Sequence, residues 1–167
     1  MKRVWCLALL FVALPASAAM AVSSSVEQLA RGADAVVRGR VASTSARWIG
    51  RRIFTFAEVE AGSVWRGSAP PRITVLTAGG ASGHLVQHVD GAAAFAQGEE
   101  VVLFLSRAEA GIYRVTGLAQ GKFTVQSGVA RPDLANTSLI AAQRAPGERA
   151  SEEMPVGELE RRVRSVR

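Results

Sequence analysis

Hydrophobic and polar positions follow three successive patterns along the chain. Val4 to Leu14 is an unbroken apolar run, preceded by Lys2 and Arg3 and stopped by Pro15. A short helical stripe follows over 25–32: Val26, Leu29 and Ala30 share one face, Ser25 with Gln28 makes a capping box, and Gly32 ends it. From Ala35 the period shortens to two, the signature of strands. Val37, Gly39 and Val41 alternate with Arg38 and Arg40 in the stretch from Ala35 to Thr44. Ile53 to Val64 is long for a strand, and Gly62 inside it marks a bulge or bend. Pro70-Pro71 leads into Arg72 to Thr77, a glycine-rich loop spans Gly79 to Gly83, and Leu85 to Val89 is a short strand before the Asp90-Gly91 turn. Val101 to Leu105 (VVLFL) is apolar without alternation, which predicts the strand buried on both faces.

Ile112 to Thr116 and Lys122 to Gln126 flank Gly117 and Gly121 and read as an antiparallel pair, with the sheet ending near Val129. Beyond it the stretch 131–155, rich in alanine and interrupted by prolines, reads as a loop. The segment 156–167 reads as an amphipathic helix carrying Leu159, Val163 and Val166, docked on its own domain. Closely spaced strands with helices only at the ends predict a mainly β fold: a small closed or half-closed antiparallel barrel, OB-like, over 33–130, with short terminal helices.

Composition changes this picture in one respect. The basic apolar start and Ala16-Ser17-Ala18 fit a signal peptide over 1–18, cleaved after Ala18, and imply bacterial export to the periplasm or beyond. The apolar run is too short to span a bilayer, so no membrane span is expected after cleavage. Cys6, the only cysteine, lies inside that run, which leaves the mature chain without a thiol or disulfide. Loss of Lys2 and Arg3 lowers the formal net charge from +6 to +4. The arginines are scattered, with Arg51-Arg52 and Arg161-Arg162 the only doublets of the mature chain, so nucleic acid is not the expected partner.

Candidate chemistry concentrates in Gly79 to Gly91, which holds Ser82, both histidines, His84 and His88, and Asp90. On a helix, residues four apart would set both imidazoles on one face for a metal. On a strand they stand about 13 Å apart, at 3.3 Å per residue, and the flanking glycines favour strand or loop. Ser82 lacks the glycine two positions later that a nucleophile elbow requires, and no helix follows it. Glu58 and Glu60, and Glu99-Glu100 at a turn, read as solvated carboxylates rather than an acid–base pair across a cleft. Trp48 and Trp65, with Arg51-Arg52, are either plugs of the barrel or an exposed rim for a ligand.

The segments ADAVVRGRV, IFTFAEVE, GEEVVLFLS and YRVTGLAQGKFTV resemble a group of secreted bacterial proteins without assigned function. Their strand order resembles the netrin-like, OB-type barrel of tissue metalloproteinase inhibitors. The resemblance runs over roughly Ala33 to Val129 and implies fold alone, because those inhibitors act through an N-terminal cysteine that the mature chain lacks. The expectation is an exported, non-catalytic binding module that needs no cofactor. Its partner would be another exported protein or an envelope component. Two alternatives stand beside it: a small metal-dependent hydrolase using His84 and His88, and an OB-type oligonucleotide binder.

Overall fold

The computed structural model describes residues 21–134, 139–140 and 152–167. The signal peptide expected at 1–18, and most of the loop expected at 131–155, lie outside the described residues. In chain order the elements are β1 (Ala21–Val22), α1 (Val26–Gly32), β2 (Ala35–Ile49), β3 (Arg52–Gly67), β4 (Arg72–Ala78), β5 (Gly80–Ser82) and β6 (Leu85–Gln87). They continue with β7 (Glu100–Arg107), β8 (Ile112–Val115), β9 (Lys122–Gln126), β10 (Val129–Pro132), β11 (Leu139–Ile140), β12 (Met154–Pro155) and α2 (Val156–Ser165).

The fold is mainly β and mostly antiparallel, with its two short α-helices at the N- and C-terminal ends. Five strands close into a ring in the order β7-β2-β3-β4-β8, with β8 pairing back onto β7. One pairing of that ring, β4 with β8, is parallel; the rest are antiparallel. Closing so few strands requires sharp curvature, and the long β2–β3 ladder supplies it through register shifts. Arg38 faces Ser63 while Gly39 faces Ala61, leaving Gly62 as the extra residue, as its place in the strand pattern predicts. Opposite it the backbones nearly touch: a Cβ on Gly39 would lie 2.3 Å from the Glu60 carbonyl oxygen. A second extra residue is Trp65, since Val36 faces Arg66 and Val37 faces Val64. The bulge re-aims the indole, so Trp65 joins a different apolar cluster from the one against which Val64 packs.

Those clusters occupy the two faces of the sheet. All five ring strands supply the first, through Val37, Val59, Val75, Leu103, Leu105 and Tyr113 among others. The second lies under both helices, where Val26 and Leu29 of α1 meet Leu159 and Val163 of α2 over Val36, Phe104 and Phe123. VVLFL is divided between them, Val101, Leu103 and Leu105 on one side and Val102 and Phe104 on the other, which is why the run lacks polar alternation. The C-terminal helix is thus docked on its own chain, as its stripe predicts.

Three expectations about strands are corrected. β8 and β9 do not pair with each other; both run along β7, β8 at Leu105 to Arg107 and β9 at Val101 to Leu103. Gly117, in the left-handed region, and a 3-10 turn over Leu118–Gly121 move the chain from one to the other instead of reversing it as a hairpin. The glycine-rich loop contains β5, which pairs with β6 from Gly80 to Ser82. The sheet also runs past Val129, because β10 pairs with β9 and then takes β12 as its other neighbour.

Candidate binding surface

β2 pairs with β7 only from Ala35 to Arg40 and beyond that with β3 alone, while β3 stays paired with β4 as far as Phe54; the β2–β3 hairpin is thus an arm with one open edge, and its tip from Trp48 to Arg52 projects past the ring. The arm turns at Gly50-Arg51, with Ile49 facing Arg52, and Gly50 takes φ +61. Such an arm has less to bury against, so the alternation near its tip leaves large side chains in water. Trp48 is 48% exposed and Ile49 46%. Arg47 lies over the Phe56 ring, 4.0 Å from its centroid, a cation–π contact that holds the guanidinium along the arm.

The β5–β6 hairpin is tied to this arm by main-chain and side-chain hydrogen bonds. The Gly79 amide donates to the Ile53 carbonyl at 2.8 Å, the Thr55 hydroxyl donates to the Gly79 carbonyl at 2.8 Å, and the Ile53 amide donates to Gln87 Oε1 at 2.8 Å. Gly80 sits so close to the arm that a Cβ would fall 2.3 Å from Thr55 Oγ1. At the free end of the hairpin, Leu85 is 59% and Val86 78% exposed. The next segment closes the same end: Leu118 approaches Gly91, the Ala119 amide donates to the Gly91 carbonyl at 2.9 Å, and Leu118 lines one cleft with Arg52, Phe54, Asp90 and Arg114.

Among the described residues, the exposed large hydrophobics are Trp48, Ile49, Leu85, Val86 and Leu118, and all belong to this end of the molecule. Arg47, Arg51, Arg52 and Arg114 surround them, all exposed, with Asp90 in the same region and Glu58 and Glu60 farther from the tip along β3. This end is apolar at its tips and cationic at its sides, a clustering of exposed apolar side chains that is uncommon on protein surfaces.

The sequence-predicted residues separate on this frame. Ser82, on β5, faces Leu85, and His84 stands in the turn between the two strands. β6 lies between the histidines and holds them about 13 Å apart along extended chain. His88 faces Asp90 at 3.5 Å, both side chains largely in water, and lines a cleft of small residues, Thr44, Ala46, Thr55 and Gly80, beside the arm. Among the described residues no three His, Cys, Asp or Glu side chains gather in a way that could hold a metal ion. The tryptophans also part: Trp48 is on the arm, while Trp65 is 5% exposed among the residues under the helices, its indole N–H donating to Ser63 Oγ at 3.1 Å.

Sequence reasoning missed the buried cation Lys122. Its ammonium is bound by Glu99 at 2.8 Å and Asp133 at 3.4 Å, above the Phe95 ring, with its side chain 3% exposed. Glu99, read as solvated, is instead the main partner of this charge, and it also accepts from the Thr124 hydroxyl at 2.6 Å. The signal available in the sequence was a lone lysine, since every other basic side chain after Lys2 is arginine. Compared with known proteins, the chain matches no family model, no curated protein and no solved structure.

Proposed function

We propose that the protein is an exported, non-catalytic binding module: an OB-type barrel that meets its partner with the end formed by the β2–β3 arm and the β5–β6 hairpin. The observation that carries this reading is the gathering of the exposed large hydrophobics at that one end, ringed by arginines. The ring order, with its single parallel pair, supports an OB-type barrel, and in such barrels the loop joining the first two strands is one of the ligand-binding loops. Here that loop is the tip of the arm. Export rests on the apolar run and Ala16-Ser17-Ala18, and the partner is accordingly another exported protein or an envelope component.

The test is accessibility in the producing cell. Leu85→Cys places a thiol on the proposed surface, and Gln126→Cys places one on the exposed end of β9. An aqueous maleimide is expected to label both in purified protein, but only the Gln126→Cys chain in the intact cell envelope. Equal labelling of Leu85→Cys in both settings would overturn the reading.

A further inference from the structure

Resting on that reading, we propose that the partner is an anionic lipid surface, into whose interfacial layer Trp48, Ile49, Leu85 and Val86 insert while the neighbouring arginines engage the headgroups. Three observations favour lipid over a macromolecule of like charge. The apolar side chains stand at the tips of two tied hairpins, the parts that project, rather than in a groove shaped for a peptide. They are mostly aliphatic: Ile49, Leu85, Val86 and Leu118 present no flat ring on which a nucleobase stacks, and Trp48 is the one exposed aromatic among them. Trp48 also has the chemistry of the membrane interface, an apolar body with one N–H donor.

The charges complete the match. Arg47, Arg51 and Arg52 flank the arm tip and Arg114 lines a cleft with Leu118, so a surface bearing phosphodiester headgroups meets cations beside the arm tip and beside Leu118. Long arginine stems keep the guanidinium at headgroup depth while the apolar tips go deeper. Depth is limited by the backbone of the turns, whose polar groups cannot enter hydrocarbon unpaired, so the contact is a shallow one of about 5–10 Å.

The test uses the full chain carrying Trp5→Phe, in which Trp48 and the buried Trp65 are the remaining indoles. Vesicles of phosphatidylcholine with and without phosphatidylglycerol are the probe, some with brominated acyl chains that quench an inserted indole. Trp48 emission is expected to shift to the blue and be quenched on the anionic vesicles, and not on the neutral ones. The reading is taken at residue 48, and its dependence on Arg51, Arg52, Leu85 and Val86 separates insertion of the arm from binding through the N-terminal apolar run. Arg51→Glu with Arg52→Glu is expected to weaken the quenching response about ten-fold or more, and Leu85→Ser with Val86→Ser to reduce it at unchanged thermal stability. Unmoved Trp48 emission on anionic vesicles, equal quenching on neutral ones, or quenching that survives the double arginine change would each overturn the proposal. So would a Trp48 response to a thymidine oligonucleotide in place of vesicles. If vesicles fail while Leu85→Cys remains protected in the cell, the lipid is wrong and the binding surface stands.

Discussion

Lys122 shows how a single side chain can be fixed by residues far from it in sequence. Its partners Glu99 and Asp133 are 23 and 11 positions away, and together with Thr124 they satisfy a charge that the fold has taken out of water. Removing the cation leaves Glu99 and Asp133, both partly open to water, without their shared partner, so Lys122→Met is expected to cost about 1.5 to 3 kcal/mol, measured by denaturant unfolding. A loss below about 1 kcal/mol would mean that Glu99 finds water instead. Leu103→Ala, at a fully buried position inside the ring, is expected to cost about 2 to 5 kcal/mol. The two residues differ in how far the sequence disclosed them. Leu103 is legible in the apolar run VVLFL, whereas Lys122 lies on the polar side of a strand pattern that promises solvent, and only the approach of the Glu99 turn removes it.

At the level of elements, the two terminal helices depend on each other. α1 is too short to persist alone in water, and it is clasped to α2 by a two-pronged pair, Arg162 Nε to Glu27 Oε1 at 2.7 Å and the second guanidinium nitrogen to Oε2 at 2.9 Å. The hydrogen bonds from Arg162 hold the Glu27 carboxyl below the usual glutamate range. A carboxyl whose value is lower in the fold contributes stability that is fully present above its ordinary value of about 4.3 and is lost as pH falls through the lowered one. Thermal melts of Glu27→Gln against the parent chain are therefore expected to differ near neutrality and converge in acid. A gap that stays constant through that range would show that the pair contributes by packing alone. The helices were readable from a capping box and an apolar stripe because those signals are local. The β8–β9 connection was not, because Gly117 and Gly121 read equally well as a hairpin turn, and the competing partner, β7, lies elsewhere in the chain.

For the whole molecule, separate clusters on the two faces of the sheet predict unequal responses to truncation. A chain ending at Pro155 loses Leu159 and Val163 from the cluster under the helices and leaves the ring interior intact. Each buried aliphatic is worth about 1.5 to 3 kcal/mol, so melting is expected at lower temperature with the β circular-dichroism signal retained and self-association increased. An unchanged melting temperature would place α2 outside the core. A strand-rich domain with terminal helices was legible because period-two alternation is written along the chain. Closure of the ring through the parallel β4–β8 pair was not, since nothing local in Thr74 and Val75 names Ile112 and Tyr113 as neighbours. The candidate site followed the same division. Ser82, His84 and His88 stood out by residue type, yet the surface is defined by which apolar side chains the arm leaves uncovered, a property of the assembled sheet. A photo-crosslinking amino acid at Val86, activated in the producing cell, tests that surface most directly. The account predicts a specific adduct, to lipid or protein, that the same group placed at Gln126 does not give; equal adducts from both positions, or none from Val86, would contradict it.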